Sequence, residues 1–429
     1  MKKLATFLAI CSLLLITACS GGSDKTSSSD NGGASHGDKK VLDFWYIETG
    51  AEEQVILDAI DRFEKDNPEF KVNAVHTAND SYKQKLSVAM SGGSPPDIFD
   101  SWGGGWLKHF VEQGQVLDVT DQIDKTRYLE FALKNAAFDE KQYGVPLGLS
   151  LDLVFYNKDI FNKYDLTPPK TYEEWVDIVK TLRENDIIPM ALANKTKWPG
   201  AYYLMNFADR IAGYQLFESA LNREGKGFDN QAYVQAGKYI QELVKMDAFN
   251  EGFNGVPYDA GRSRQLMYTG QAAMQDITIA FLNNVRDEAP QFEKKLGVFK
   301  FPTVAKGKGD PSNVGGATSP VWSVSADTQY PDAAVKLIKE LTSSQTAQAY
   351  VKKTGSLTPV KGVEPEDPFV KKFYKIANEA NHIQMPYDQT LPPELAEVHK
   401  DTTQAIFGLE ITPKEAADKM EAKAQDILE

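Results

Sequence analysis

Cysteine is nearly absent from this sequence of 429 residues, which has only Cys11 and Cys19. Every residue after Cys19 is therefore excluded from disulfide and thiolate chemistry. The five histidines, at positions 36, 76, 109, 382 and 399, show no metal-ligand spacing, so no metal or other cofactor is expected. The sequence also lacks a G-x-S-x-G nucleophile turn and a glycine-rich phosphate loop, the marks of two large enzyme classes.

Basic runs are missing as well. Asp and Glu number 60 against 47 Lys and Arg, for a net charge of −13. Such a chain is not suited to nucleic acid or to anionic lipid, and neither is an expected partner. Hydrophobic residues make up 42% of the chain, which is typical of a packed globular protein, and the length suggests two lobes rather than one core.

The N-terminus contains the longest apolar run, Leu4–Ile16, which is shorter than a typical transmembrane helix. Preceded by two lysines and followed by small residues, it predicts a secretory signal over residues 1–18. The ending "ITAC" resembles a bacterial lipobox, which makes Cys19 the lipidated residue; the alternative is an ordinary signal with an incidental cysteine. Residues 19–40, rich in Gly and Ser, predict a disordered tether. We therefore expect a lipid-anchored protein at the outer face of the cell membrane.

From Val41 onward, strand and helix patterns alternate. "VLDFWYI" is a β-branched and aromatic run typical of a buried strand. In "AEEQVILDAIDRFEKDNP" the apolar residues fall on one helical face, and Asn67–Pro68 ends the pattern. The strand "KVNAV", the helix "DSYKQKLSVAMSGG" and the short strand "DIF" follow. This order predicts an α/β fold with a parallel sheet and helical crossovers.

The stretch "DSWGGGW" begins where the third strand ends, at the edge where such sheets bind ligands. Glu48 follows the first strand, Asn79 the second, and Asp100 and Trp102 the third. We therefore expect acidic, amide and aromatic groups to meet at this edge. Gly103–Gly105 have two possible roles. They form either a flexible loop or a backbone without side chains that a bulky ligand can approach closely, and in the second case their backbone amides are free to donate hydrogen bonds to the ligand.

Five blocks of the sequence resemble the signatures of the extracellular solute-binding proteins of bacterial carbohydrate ABC importers, the maltose-binding-protein type. They occur in the family's order: "MSGGSPPDIFDSWGGGWLKHFVEQGQVLDVTD", the stretch Tyr143–Leu192, "LMYTGQAAMQ", "LGVFKFP" with "GGATSPVW", and "PDAAVKLIKELTSSQTAQAYVKKTGSLTP". The resemblance implies a two-lobed periplasmic-binding-protein-like fold (type II), with a ligand cleft between lobes that hinge segments join.

The predicted lobes are discontinuous in sequence. Residues 41–148 plus 317–355 are expected to form lobe 1, and residues 149–316 plus 356–429 to form lobe 2. Pro/Gly-containing links predict crossings between the lobes near Gly148–Ser150 and Gly315–Thr318, and the family's third crossing would fall near Thr354–Pro359. Thin links of this kind allow the lobes to rotate and to bury a ligand from both sides.

The tryptophans are the candidate sugar-stacking residues. Trp102 has no periodic apolar partner and is expected to face the ligand, whereas Trp106 either does so or anchors a following helix. Trp198 lies in an irregular polar stretch where the family often carries sugar-stacking aromatics. Trp322 either borders the second crossing or opens a strand. Trp175 shares a helical face with apolar residues and is expected in the core.

Carboxylates are the expected acceptors for sugar hydroxyls. Glu48 and Asp100 are candidates from the strand ends, and Asp276 from the family's layout. For each one the alternative is a helix cap or a solvated charge. With Asn79, Trp102, Trp106, Trp198 and Trp322 they form the predicted binding set.

The resemblance implies a non-catalytic binding protein. It captures an oligosaccharide by lobe closure and delivers the sugar to two permease subunits of an ABC importer. Xylo-oligosaccharides and raffinose-type sugars are the favoured ligands, and the protein is expected to be a monomer. Two alternatives are a lipid-anchored carbohydrate-active hydrolase, which would also use aromatics and paired carboxylates, and a sugar-sensing or adhesive surface lipoprotein.

Overall fold

The computed structural model describes residues 39–429. The predicted signal, Cys19 and nearly all of the tether lie outside the described residues. The first elements in chain order are β1 (Lys40–Tyr46), α1 (Gly50–Asp66), β2 (Phe70–His76), α2 (Asn79–Ser91), β3 (Ile98–Asp100), α3 (Gly104–Glu112), α4 (Glu130–Lys134), β4 (Ala137–Phe138), β5 (Lys141–Gln142), β6 (Val145–Pro146) and β7 (Leu149–Asn157).

The middle of the chain is mostly helical. It contains α5 (Lys158–Lys163), α6 (Tyr172–Glu184), β8 (Ile188–Met190), α7 (Trp198–Ala212), α8 (Gln215–Leu221), α9 (Gln231–Lys245), α10 (Arg262–Tyr268), β9 (Ala272–Thr278), α11 (Phe281–Glu288), β10 (Leu296–Phe299) and β11 (Val314–Thr318).

The remaining elements run to the C-terminus. They are β12 (Val321–Val324), α12 (Pro331–Leu341), α13 (Ser344–Thr354), α14 (Pro368–Glu379), β13 (Ile383–Gln384), α15 (Tyr387–Thr390), α16 (Pro393–Phe407) and α17 (Pro413–Leu428). Within residues 39–429, no helix combines the length and the apolar character needed to cross a membrane.

The first sheet has the strand order β2-β1-β3-β12-β6. β1 pairs in parallel with β2 and β3, and β12 adds to β3 in the antiparallel sense. The strand–helix alternation predicted from β1 to β3 is confirmed. α1 buries the apolar stripe that its sequence predicts, including Val55, Ile56 and Phe63, and ends before Pro68. α12 and α13 join α1 on one face of this sheet, and α2 and α3 cover the other.

The second sheet has the order β13-β11-β7-β9-β8, with β10 also beside β7. Helices including α6, α7, α9 and α16 pack on one face, and α10, α11 and α14 on the other. We call the first sheet with α1–α4, α12 and α13 the first lobe, and the second sheet with α5–α11 and α14–α17 the second lobe.

The chain passes between the two sheets at segments that hydrogen-bond to one another. The Ser319 N–H donates to the Gly148 carbonyl at 3.1 Å, and the Leu149 N–H donates to the Leu357 carbonyl at 2.9 Å. A Cβ on Gly148 would lie 1.8 Å from the Ser319 carbonyl oxygen, so only glycine fits here. Val314–Thr318 form a strand of the second sheet, and the second passage therefore falls just after Thr318, at Ser319–Pro320.

Candidate functional site

Glu48 and Asp100 lie at the carboxyl ends of the neighbouring strands β1 and β3, and both are buried. Oδ1 of Asp100 accepts from the backbone N–H of Val321 at 3.0 Å and of Trp102 at 3.4 Å. Its Oδ2 finds no hydrogen-bond partner among residues 39–429. Buried carboxylate oxygens are normally satisfied, so this one marks a place where the protein can accept a bond from a ligand.

Both carboxyl groups have raised pKa values. Burial raises the pKa of Asp100 to about 7. Burial, and then the charge of Asp100, raise the pKa of Glu48 well above its usual range. Strongly shifted carboxyl groups at a strand edge are typical of functional sites.

Trp102 follows Asp100 in a left-handed backbone conformation, with φ at 51°. A bulky residue at positive φ is strained by an amount on the order of 1 to 3 kcal/mol, and such strain is concentrated at binding sites. The carbonyl of Trp102 accepts from Asn135 Nδ2 at 2.7 Å, which fixes this turn. The indole is 5% exposed and meets the rings of Tyr82 and Trp106 edge to face, at 5.3 and 5.6 Å.

Trp106 lies on the inner face of α3 with Leu107 and Phe110, all three buried, as the helix-anchoring alternative predicts. Gly104 and Gly105 belong to its first turn and approach the backbone of the second lobe. A Cβ on Gly104 would lie 2.2 Å from the Gln389 carbonyl oxygen, and one on Gly105 2.4 Å from that of Thr390. The backbone of the second lobe therefore packs closely against these two glycines, in the space that a side chain would occupy.

Asp276 and Asp152 are the corresponding carboxyl pair of the second lobe. They lie on adjacent strands, β9 and β7, beneath α7, and they are 1% and 3% exposed. Asn206 Nδ2 donates to Asp152 Oδ2 at 2.6 Å, but both oxygens of Asp276 lack a partner within the described chain. Burial raises the pKa of Asp152 to about 7, and burial followed by the charge of Asp152 raises that of Asp276.

Trp198 is the first residue of α7 and is half-buried. Its ring meets Tyr258 at 4.7 Å and Tyr202 at 5.5 Å, both edge to face. Burial, and then the charges of groups including Asp259 and Glu52, raise the pKa of Tyr258 to about 12. Glu52 belongs to the first lobe, so this aromatic group lies where the lobes face each other.

Lys83 connects the two halves of the site. Its Nζ lies 5.1 Å from the ring centroid of Trp102 and 3.5 Å from Oδ2 of Asp388, in α15 of the second lobe. The charge of Asp388 in turn raises the pKa of Tyr202, after burial and the charge of Asp152. Lys83 of the first lobe and Asp388 of the second lobe therefore form an ion pair across the lobe boundary.

Two further tryptophans, Trp322 and Trp175, occupy core positions. Trp322 is fully buried on the α1 face of the first sheet, with its ring 4.9 Å from that of Phe44. These are the contacts of a core side chain, and they give no support for Trp322 as a ligand residue. Trp175 is fully buried against Phe301 at 5.1 Å, which confirms its predicted core position. Asn79 begins α2 at the lobe boundary and is half-buried.

Sequence reasoning missed several residues of this site. Asp152 had a signal, since it is the single charged residue in the apolar strand "LSLDLVFYN". Lys83, Tyr202 and Asp388 had none, because each lies on a helix whose neighbours are set only by the tertiary fold. Among the described residues, no group of three or more His, Cys, Asp or Glu is arranged to hold a metal ion.

Residues 48–348 match the family of bacterial extracellular solute-binding proteins, a match over well more than half of the chain. This protein belongs to that family. A solved structure from a study of xylan utilisation by the thermophilic bacterium Caldanaerobius polysaccharolyticus is 31% identical, with a TM-score of 0.83 over 89% of this chain and 99% of that one. The two-lobed fold with a cleft, predicted from the sequence, is confirmed by this likeness.

Two relatives of this solute-binding protein come from Bacillus subtilis (strain 168). The melibiose/raffinose/stachyose-binding protein MelE is 26% identical over 320 residues, which cover 72% of this chain and 71% of MelE. The galactooligosaccharide-binding protein is 23% identical over 436 residues, which cover 97% of this chain and 95% of that protein. The alignment with this relative therefore spans both lobes.

Proposed function

We propose that this solute-binding protein captures an oligosaccharide between its lobes and delivers it to the permease subunits of an ABC importer. The observation that carries the proposal is the free, buried Oδ2 of Asp100 beside Trp102, whose backbone is strained, at the boundary between the lobes. The names of the two relatives refer to melibiose, raffinose and stachyose and to galacto-oligosaccharides, and the similar solved structure comes from a study of xylan utilisation. These names support a sugar as the solute.

Sugar chemistry matches these side chains. A pyranose has an apolar face of C–H groups, which an aromatic ring buries, and a girdle of hydroxyls, which carboxylates accept. Micromolar binding requires about 8 kcal/mol. Two rings at about 1 kcal/mol each and three hydrogen bonds to charged groups at about 2 kcal/mol each reach that range.

We assign the ligand to residues of both lobes. Glu48, Asn79, Asp100, Trp102 and Trp106 would contact it from the first lobe, and Trp198 and Asp276 from the second. The carboxyl groups have raised pKa values because they are buried. A sugar hydroxyl can donate to an ionised carboxylate or accept from a protonated one, so these groups suit a neutral polyhydroxylated ligand.

A binding experiment tests the proposal. Titration calorimetry with xylo-, galacto-, malto- and manno-oligosaccharides and with raffinose is expected to give micromolar binding to at least one class. Asp100→Asn and Trp102→Ala should weaken that binding about 10- to 100-fold, the effect of losing 1.5 to 3 kcal/mol. Trp322→Phe, a core control, should leave it unchanged. No binding across the panel contradicts the proposal, and release of shorter sugars identifies a hydrolase.

The anchor and the transport step need tests of their own. We propose that Cys19 carries the lipid and that the protein acts as a monomer on the outer face of the membrane. Cys19→Ser should release the protein into the medium. Deletion of the permease genes of the importer should abolish uptake of the sugar that the calorimetry identifies, while the purified protein still binds it. Uptake that persists would mean that the protein is a sensor or an adhesin.

A further inference from the structure

A groove opens to solvent where the first and second lobes meet. It has a volume of about 330 Å³, and its walls include Lys83 and Ser87 of α2, Trp106 of α3, Asp388 of α15, and Ala396 and Glu397 of α16. Volumes of this order are typical of sites for small ligands. Because α2 and α3 belong to the first lobe and α15 and α16 to the second, only the pair of lobes forms the groove.

The floor of the groove is polar and aromatic. The indole of Trp106 and the carboxylate of Asp388 are 6% and 7% exposed, and Lys83 Nζ lies 5.7 Å from the ring centroid of Trp106. The ion pair between Lys83 and Asp388 is loose, at 3.5 Å, compared with 2.7 to 2.9 Å for a strong charge-assisted bond. Both groups therefore have unused capacity to bond the hydroxyls of a ligand.

The groove adjoins the candidate site. Trp106 contributes to the groove and also contacts Trp102 at 5.6 Å, and the ammonium of Lys83 lies over both rings. Trp106 and Lys83 are therefore the residues that separate Trp102 from the groove, and a chain-like ligand beside Trp102 would meet them first. A monosaccharide beside Trp102 would leave the groove unused.

We infer that this groove is an extension site that binds the outer units of an oligosaccharide, with the inner units beside Trp102. The inference rests on the proposed function and specifies its ligand: a linear sugar chain longer than the inner site can hold. Trp106 supplies the stacking surface, and Lys83 and Asp388 bond the hydroxyls. Since the walls come from both lobes, each sugar unit in the groove also stabilises the closed arrangement.

Ligand length is the variable that tests the groove. The experiment titrates the mature protein with linear oligosaccharides of the class that binds in the panel, beginning with xylose oligomers, from the disaccharide to the hexasaccharide. The affinity should rise about 10-fold or more, which corresponds to 1.4 kcal/mol or more, once the chain is long enough to enter the groove. An affinity that is independent of length contradicts the inference.

Blocking variants locate the effect. Ser87→Trp and Glu397→Trp each place a bulky ring at an exposed rim position, one from each lobe. Both should abolish the gain for long sugars and leave the affinity for the shortest bound sugar unchanged. Val88→Trp is the matched control, because Val88 is the next residue of α2, is 66% exposed and lies outside the groove walls. Blocked variants that bind the longest sugar as tightly as wild type overturn the inference.

The outcomes separate the two proposals. If no sugar of any length binds, the proposed function fails. If short sugars bind but length and the blocking variants have no effect, the proposed function stands and the extension site is wrong.

Discussion

The backbone N–H of Asp80 donates to Oδ2 of Asp259 at 2.8 Å, and the backbone N–H of Asp259 donates to Oδ2 of Asp80 at 3.3 Å. Asp80 lies in the first turn of α2, and Asp259 lies in the second lobe before α10. The N-cap residue of α2 is Ala78, which has no side-chain acceptor, so the second lobe supplies the cap. Asp287 of the second lobe does the same for α1, accepting from Ala51 at 3.3 Å.

Loss of this contact between the lobes should speed ligand release. Asp259→Ala removes a cap worth about 0.5 to 1 kcal/mol for an exposed side chain, and thus weakens affinity about 2- to 5-fold. The change should appear in the dissociation rate, measured by stopped-flow fluorescence of the tryptophans. Asp229→Ala, at another exposed aspartate of the second lobe, is the control. Equal dissociation rates for both variants would show that the cap contributes nothing to closure.

Gly105→Ala should weaken sugar binding without lowering the stability of the ligand-free protein. Alanine favours the helix α3 by about 1 kcal/mol over glycine, but its Cβ would lie 2.4 Å from the Thr390 carbonyl oxygen of the second lobe. We therefore expect the melting temperature without ligand to stay equal or rise, while sugar affinity falls about 10-fold or more. Gly255→Ala, where a Cβ meets nothing within 4 Å, is the control. Retained affinity in Gly105→Ala would mean that this approach is not needed for binding.

Asp276→Asn should stabilise the ligand-free protein at alkaline pH. The pKa values of Asp276 and Asp152 are raised by burial, and Arg210 only partly opposes this for Asp276. The native state therefore keeps protons that the unfolded state releases near pH 4. As a result, the contribution of this pair to the free energy of unfolding falls as the pH rises from about 4 to 7 and above. An amide avoids the buried charge. The variant should gain about 1 to 3 kcal/mol at pH 8, the penalty for an unsatisfied buried group.

Denaturant unfolding across pH 4 to 9 measures this effect. Asp61→Asn, at an exposed residue of α1, should follow the wild-type curve. The Asp276→Asn variant should also bind sugar more weakly, since it loses a proposed acceptor. A variant that is less stable than wild type at pH 8 would show that the charge of Asp276 is compensated in the native state.

His399 should limit stability in acid. It is buried in α16, and burial lowers its pKa to about 4, with Asp388 opposing and Lys400 adding to the shift. The unfolded imidazole binds its proton near pH 6.5, so the contribution of this residue to stability falls as pH drops from 6.5 to 4. The loss amounts to about 3 kcal/mol at 1.36 kcal/mol per pH unit.

The difference between wild type and His399→Gln isolates this slope from the carboxyl groups. The free energy of unfolding of the variant should fall less between pH 6.5 and 4. His109→Gln, at an exposed histidine, should match wild type. Parallel curves for wild type and His399→Gln would mean that the buried imidazole is protonated in the native state.

Much of the first lobe could be read from the sequence because its signals are local. The β-branched run of β1, the apolar stripe of α1 and the stop at Asn67–Pro68 each depend on neighbours in the chain, and the structure matches them. The edge position of Asp100 and Trp102 follows from the same order of elements. Trp322 shows where local signals are insufficient. The chain crosses between the lobes two residues before it, which favours a position of Trp322 in the cleft, but the pleat of β12 turns its side chain into the core.

The sequence by itself determined the α/β class, the carboxyl edge of the first sheet as the candidate site, and the aromatic and acidic character of its rim. Only the tertiary structure decided which groups of the second lobe meet that rim. Lys83 and Asp388 are 305 positions apart, and Gly105 touches the backbone of Thr390, because the chain crosses between the sheets and returns. Contacts of that range depend on the packing of whole lobes, which no local pattern encodes.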